Sequence, residues 1–499
     1  MQNGQKMIAI TIGNSEARAA VYENGQVCLI PLEEGEYSIP SAVLLHRLRE
    51  IGKYAYLYSG TDPNLLVTNI NRLLGRKYSE LQSEIANLAF SLSNDNNRVR
   101  INDWINNSYT PIELYAMLLR KIYKAAEQYL KQPINQAVIA VAGSFDDFQR
   151  RSIRNAAESV FKQVKLINEP TAAVLAMSQG QLATGQEFMT VDLGAGKCEV
   201  AIVSRQNNQK LRIKAITGDT RLGSNDIDYL IFDQLAKDFQ ARYQQPLISD
   251  SPMARHEVLM AIKTAKHELS INEKAEINVP FVNFDCFGQP LHLQAIITEQ
   301  QLMQLCGSLL TRIKQLINSC LMEAERPNLD KVFLLGGGTK LPIIVNTITN
   351  TVRQTPIVAR NSDELAVRGA ALYGAYLLGQ ARVMGIEDVT AHSLGITTYT
   401  GTMGFVLKRQ AVIPALNTKR FLTVQNNQTA VQIEVREGEE RTANSNKLIG
   451  KFDLPLPANL PRNSPIDVTI GKDDDGIILV RAQDCGSGRV REISITYDL

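Results

Sequence analysis

Residues 8–22 read IAITIGNSEARAAVY, and residues 189–203 read MTVDLGAGKCEVAIV. Each is a β-rich run, a glycine turn and a second β-rich run, the pattern of two strands joined by a tight turn. Ile10, Thr11, Ile12 and Gly13 align with Val191, Asp192, Leu193 and Gly194 at a constant offset of 181 residues, and Ala20 and Val21 align with Ala201 and Ile202. A second pair of segments follows a similar spacing. Val138–Gly143 (VIAVAG) and Val332–Gly338 (VFLLGGG) are apolar runs ending in glycine, followed by the helix-start signals Asp146 and Asp147 in one and Thr339 and Pro342 in the other. A buried apolar strand, a glycine and a helix start make a parallel βα unit. One pair of short hairpins is compatible with chance similarity. The second matched pair, in the same order, predicts two related α/β halves over about the first 380 residues.

The physical use of such a duplication is a cleft. Glycine turns at strand ends expose backbone N–H groups that hold phosphate oxygens with no side chain in the way. Two facing hairpins would clasp a polyphosphate from both sides, through Gly13, the Gly194-Ala195-Gly196 turn and Gly336–Gly338. Asp192, at a strand end, suits a hydrated divalent cation.

Composition narrows the class. The 499 residues allow about three domains. A hydrophobic content of 44% and a charged content of 21% argue against extensive disorder. The net charge of +2 gives no global drive toward nucleic acid or anionic membrane, and neither is predicted as a partner. The six cysteines include no Cys-x-x-Cys pair, which fits a reducing compartment, and the five histidines show no metal-ligand spacing. The apolar stretch Met7–Gly13 is too short for a secretory signal, and the run Gly369–Gly379 falls short of the roughly 20 residues of a membrane span, so a cytoplasmic protein is expected.

Four motifs, taken in order, resemble a known family. They are Asn168-Glu169-Pro170-Thr171-Ala172-Ala173, Asp192-Leu193-Gly194-Ala195-Gly196, Gly218-Asp219-Thr220-Arg221-Leu222-Gly223 and Leu335-Gly336-Gly337-Gly338-Thr339. The chain resembles the seventy-kilodalton heat-shock chaperones, the DnaK family, almost end to end, and residues 75–112 look most like its short, divergent bacterial members. The resemblance implies a duplicated, actin-like (ribonuclease H-like) α/β nucleotide-binding domain over 1–383, a linker over 384–389 and an all-β sandwich over 390–499. It also implies ATP or ADP with Mg2+ as ligands. Glu169 would face the cation and the attacking water from a helix starting at Thr171, and Asp192 would hold Mg2+ through water. Gly13, Asn14 and Ser15 would meet the phosphates together with Gly194, Ala195 and Gly196. Lys266 and Ser270, at i and i+4 and so on one helix face, would hold adenosine. Gly336, Gly337 and Gly338 would admit the nucleotide closely, Lys340 stands where the family has an arginine on adenine, and Asp363 completes the set. Without the resemblance, Glu169 reads as a helix-start carboxylate, Asp192 as a strand-end cap and Lys266 as a lysine on a solvated face.

Several departures fall on the chemistry. Thr11 stands where the family has an aspartate, Asn14 and Ser15 where it has phosphate-holding threonines, and Asn71 where it has a cleft lysine. Lys197-Cys198-Glu199 replaces Thr-Phe-Asp in the second hairpin, and Lys263 replaces an adenosine-side glutamate. Phosphoryl transfer relies on positioned charge, and losing one stabilising group commonly costs about 10²–10³ in rate. Slow or lost hydrolysis is therefore expected, with Lys197 a candidate to replace the charge missing at Asn71 and to loosen cation dependence. The linker reads Met384-Gly385-Ile386-Glu387-Asp388, and Gly385 with Glu387 breaks the family's hydrophobic run, which predicts weak docking and weak interdomain coupling.

From Asp388 onward the pattern changes to period 2: Val431, Ile433, Val435; Ile466, Val468, Ile470; Ile478, Val480, Ala482; and Ile493, Ile495, Tyr497. This predicts short antiparallel strands. Asp473–Asp475 and Gly476 read as a turn, since the spacing of a calcium loop is missing. Ser393-Leu394-Gly395-Ile396 resembles the start of the family's peptide-binding domain. By that resemblance Ile396, Phe421 and Val431 match pocket positions for an extended apolar peptide, with Tyr399 in place of a methionine arch residue. The chain ends where the family's helical lid would begin, so a lidless pocket with rapid peptide exchange is expected. Implied partners are unfolded or extended polypeptides, J-domain proteins and nucleotide-exchange cochaperones. Two competing readings are a non-enzymatic protein with a degenerate nucleotide domain and a sugar or small-molecule kinase. A kinase needs a base for a substrate hydroxyl, and the β-rich C-terminal third argues against it.

Overall fold

The computed structural model describes residues 5–60, 62–85, 88–177, 183–206, 210–248, 252–325, 327–486 and 490–493. Met7–Ile12 pairs antiparallel with Glu16–Glu23, and Glu187–Leu193 with Cys198–Arg205, so both quoted segments are hairpins. They close with the same turn bond: Gly13 N–H donates to the Glu16 carbonyl at 2.8 Å, and Gly194 N–H to the Lys197 carbonyl at 3.0 Å. The two apolar strands, Gln136–Val141 and Lys331–Leu335, lie parallel to the first strand of their hairpins. Ile8, Ile10, Val138 and Ile139 have no exposed surface, which is why these strands read as continuous apolar runs.

Strand order repeats between the halves. In the first it runs Gln163–Asn168, Gln136–Val141, Met7–Ile12, Glu16–Glu23, Gln26–Leu29; in the second, Ile357–Val358, Lys331–Leu335, Glu187–Leu193, Cys198–Arg205, Lys210–Asp219. The duplication is therefore topological as well as sequential. Helix Asp147–Glu158 starts at a capping box of Asp146 and Gln149, and helix Pro342–Val352 starts on its proline, as the start signals indicated. The helix after Asn168 begins at Glu169 itself, two residues earlier than expected, because Pro170 is tolerated in a first turn where no N–H is needed. This helix, Glu169–Met177, crosses Leu365–Leu377 so closely that a Cβ on Gly369 would overlap the Ala172 carbonyl oxygen. Ala172 and Val367 cluster with Met7 and Val138 of the first sheet, and Val174 clusters with Phe188 and Ala201 of the second, so the helix pair joins the halves.

The C-terminal region forms two four-stranded antiparallel sheets. Ile433, Val435, Ile466, Val468, Ile470 and Val480 point into one shared core, as the alternation predicted. The acidic run is a hairpin turn, with the Asp473 carboxylate accepting the Asp475 and Ile477 amides at 3.0 and 2.8 Å. The last described strand is Val490–Ile493; Ile495 and Tyr497 lie outside the described residues.

The linker corrects an expectation. Gly385–Val389 is a strand, parallel to Lys210–Asp219 and antiparallel to Val412–Ile413, so one sheet runs across the expected boundary at 383–390. Gly385 and Glu387 do not break the docking because backbone pairing carries it, with Gly385 opposite Lys210 and Glu387 opposite Arg212, and the Glu387 carboxylate also pairs with Lys210 at 3.0 Å. Asp388 accepts hydrogen bonds from Asn168 Nδ2 and Thr171 Oγ1, both at 2.8 Å.

The two regions meet on helix Asp147–Glu158. Phe148 packs in the C-terminal core, Ile478 N–H donates to Asp147 Oδ1 at 2.7 Å, and Leu166 N–H donates to Asp475 Oδ1 at 3.0 Å. The Asp147 amide donates to Glu437 Oε2 at 3.1 Å, and the other Glu437 oxygen takes the buried Lys472 ammonium at 2.9 Å. Burial by itself would raise the Glu437 carboxyl, but the Lys472 and His392 charges, with the hydrogen bonds from Lys472 and the Asp147 amide, hold it down at about 2. A carboxyl depressed in the fold contributes stability above its unfolded value near 4.3, and that contribution is lost as pH falls toward 2. Wild type is thus expected to be more stable than Glu437→Gln at pH 7, with the gap closing between about pH 4.3 and 2. Chemical denaturation at several pH values measures it, and a gap that does not change with pH would contradict the assignment.

Candidate functional site

Between the halves lies a cavity of about 640 Å³, within the range of small-molecule sites. The residues predicted for a cleft all line it: Gly13, Asn14, Ser15, Glu169, Asp192, Gly194, Ala195, Gly196, Lys266, Ser270, Gly336, Gly337, Gly338, Lys340 and Asp363. The two turns touch, since a Cβ on Gly196 would overlap the Asn14 side-chain amide. Gly336 has φ +77°, and a Cβ there would overlap Asp192 Oδ1, so only glycine lets this run close against the strand-end carboxylate.

The floor of the cavity is a charged cluster. Strand pairing sets Asp192 directly opposite Glu199. Glu169 joins them from the start of its helix, and the three carboxylates offer ligand atoms within 4.8 Å of one another, the spacing a metal ion would use. The Lys197 ammonium stands among them, 2.5 Å from Glu169 Oε2, 2.5 Å from Glu199 Oε2 and 3.7 Å from Asp192 Oδ2. The other Glu199 oxygen accepts from the Ser144 amide at 2.8 Å and its hydroxyl at 2.7 Å. These environments push the acids apart. Burial raises Glu169 to about 7 against the opposing pull of Lys197, with Glu199 and Asp192 adding to the rise. For Glu199, Lys197 and Ser144 outweigh burial and hold the carboxyl below its ordinary value. Burial disfavours the Lys197 charge, but the three carboxylates overcome it and hold its pKa well above that of a free lysine.

Other predicted residues sit differently from expectation. Helix Pro252–Glu268 ends before Ser270, so Lys266 and Ser270 do not share a helix face. Ser270 lies in the following turn, its N–H donating to the His267 carbonyl at 3.1 Å. Lys266 is buried, not solvated, and is held by Asp228 at 2.6 Å and the Ser224 carbonyl at 2.8 Å. Asp363 accepts from Arg18 at 2.7 Å. Asn71 donates to the Ile12 carbonyl at 2.5 Å, while its Oδ1 and that of Asn14 are buried without a hydrogen-bond partner. In the C-terminal region Phe421 and Val431 border the cluster that contains Ile396. Ile396 is a core residue, because its strand turns Leu394 and Ile396 inward together. Tyr399 is 82% exposed and stands outside that core.

Sequence reading missed Arg72. Its guanidinium donates to the Gly196 carbonyl at 3.1 and 2.9 Å and to the Asp226 carboxylate at 2.9 and 2.5 Å, clamping one half to the turn of the other. It stands in the run Asn71-Arg72-Leu73-Leu74-Gly75, which matches a family motif, but nothing in that run marks Gly196 and Asp226 as its partners. Glu199 was legible in principle: the hairpin pattern centred on Gly194–Lys197 places it across from Asp192, so the two side chains share a face of the sheet.

The sequence model of the family described as Hsp70 protein matches residues 7–498. The chaperone protein dnaK3 of Synechococcus elongatus is 33% identical over 498 residues, covering 98% of this chain. This chain spans 66% of the length of that curated relative.

Removing the clamp should loosen the cleft. Arg72→Ala leaves Asp226 and the Gly196 carbonyl without this partner, and an expected loss of about 2–4 kcal/mol follows from breaking a largely buried charged pair. Denaturant unfolding measures it, and a loss below about 0.5 kcal/mol, the level of an ordinary surface change, would show that the clamp carries no weight.

Proposed function

The chain belongs to the Hsp70 family, and on that footing we propose that it is an ATP-binding molecular chaperone of the DnaK type. In this reading an actin-like α/β domain over residues 1–383 takes ATP and ADP, and a β-sandwich domain over 390–499 holds unfolded or extended polypeptide. The observation that carries it is the cavity walled by both hairpin turns and by Gly336–Gly338, with Lys266 and Ser270 also lining it. Backbone N–H groups at such turns suit phosphate oxygens, and the closeness of Gly196 to Asn14 keeps the two turns at one ligand. J-domain and nucleotide-exchange cochaperones are proposed partners, and the cytoplasm the proposed compartment. No described helix is long and apolar enough to cross a membrane.

Hydrolysis in this reading is slow. Thr11 brings no charge to the cleft, and the Asn71 amide is spent on the Ile12 carbonyl. These positions favour, as a second reading, a scaffold that binds nucleotide or peptide without turnover. Mg2+ is the component that fits this cleft least well, because two of the three clustered carboxylates, Glu169 and Glu199, are already bonded to Lys197, whose charge also lies 3.7 Å from Asp192.

Millimolar ATP should raise the melting temperature of the full chain, since a ligand of the native state stabilises it by about 2.7 kcal/mol at a hundred times its Kd. Single-turnover assays should then show little product, and Thr11→Asp with Asn71→Lys should increase it. A fast wild-type rate abolished by Lys197→Ala would instead mark a rewired active site.

Peptide binding is testable separately. Val431 lies half-buried at the margin of the C-terminal core, and Val431→Phe should crowd that margin. Loss of polarisation signal from a labelled extended apolar peptide, with ATP affinity unchanged, is the expected result. Absence of binding by wild type to any such peptide would favour the scaffold reading.

A further inference from the structure

The floor of the cleft already contains a cation. Lys197 projects from the second hairpin turn into the group of Glu169, Asp192 and Glu199, and its ammonium is bonded to two of them at 2.5 Å. The carboxylates are spaced as ligands of a divalent ion would be, so the geometry for a metal exists and the chain's own side chain fills it. A hydrated Mg2+ needs several oxygen ligands at fixed geometry. It would have to displace Lys197 from both bonds, or sit beside a positive charge in the same small volume. On the opposite wall Thr11 offers a hydroxyl in place of a second carboxylate. The residues therefore do not fit a resident divalent ion.

The lysine is also placed to serve the ligand. An ammonium has three donors. Two meet Glu169 and Glu199, and Asp192 at 3.7 Å lies beyond hydrogen-bond length, which leaves a proton for an anion in the cavity that Lys197 helps to line. The duplicated position in the first half, 181 residues earlier, is Glu16, so the cation has a single origin among these two turns.

We propose that Lys197 is the resident cation of this cleft, a tethered ammonium in place of the divalent metal, and that adenine nucleotide binds without Mg2+. The inference rests on the nucleotide reading above and adds to it what neutralises the phosphates.

Calorimetry of ADP binding to the full chain, in Mg2+ and in EDTA, tests it. Wild type should bind equally in both, within about threefold. Lys197→Ala should lose about tenfold or more in EDTA and recover with Mg2+, because the vacated carboxylates can then take the ion. Lys197→Met, closer in volume, repeats the test should the alanine variant fold poorly. Mn2+ alone, followed by electron paramagnetic resonance, gives a readout independent of nucleotide: wild type should bind none at this site, and the variant should bind one ion. A wild-type affinity that falls about tenfold or more in EDTA, or stoichiometric Mn2+ binding by wild type, would overturn the inference while leaving the nucleotide reading intact. Absence of ADP binding in both buffers is a different result, which refutes the nucleotide reading and this inference together.

Discussion

Asp192 and Glu199 face each other across the second hairpin, and Glu169 reaches the same small volume from the start of its helix. Three carboxylates so placed repel unless a cation joins them. Lys197 is that cation, and the strand pairing that aligns Asp192 with Glu199 also brings it into range. The position of the Glu169–Met177 helix, the closing of Gly336 on Asp192 and the anchoring of Glu199 by Ser144 all converge on this one charge balance.

The two halves share strand order and turn geometry but not chemistry. Where the second half has Asp192, Lys197 and Glu199, the first has Thr11, Glu16 and Arg18 at the same offset. Arg18 is bonded to Glu16 at 2.6 Å and to Asp363 at 2.7 Å, so its charge is directed at the rim of the cleft and not at its floor. The fold tolerates this exchange because the hairpins are held by backbone pairing and by apolar strands buried on both faces, neither of which depends on the polar side chains at the turn.

The cleft and the C-terminal sheets are joined by continuous hydrogen bonding. Arg150 donates to the Asp475 carbonyl at 3.3 Å and to Asn168 Oδ1 at 2.5 Å. Asn168 in turn donates to Asp388 of the linker strand, and its neighbour in the chain is Glu169. Residues of the C-terminal turn, the linker and the cleft thus meet at the junction between strand Gln163–Asn168 and the helix that follows it. Each partner is largely withdrawn from water, where an unpaired polar group is costly, so these contacts favour a common arrangement.

Much of this was legible in the residue order. Alternation, glycine turns and capping signals are local, and they determined both hairpins, the two βα units, the period-2 strands and the acidic turn. The motifs marked the residues that line the cleft, because glycines and strand-end carboxylates bear their role in their type and spacing. What the tertiary structure alone decided are the partners of charged side chains. Lys266 looks solvated in sequence and is buried on Asp228; Arg72 stands in a motif that does not show its partners, and it spans the halves; Gly385 and Glu387 break a hydrophobic run in sequence, yet the linker pairs as a strand. Lys197 was marked in sequence as a candidate cation for the cleft, but its bonds to Glu169 and Glu199 appear only once the helix start and the hairpin meet. Backbone conformation follows from neighbours a few residues away, whereas an ion pair depends on where distant segments cross, and only the folded chain brings those segments together.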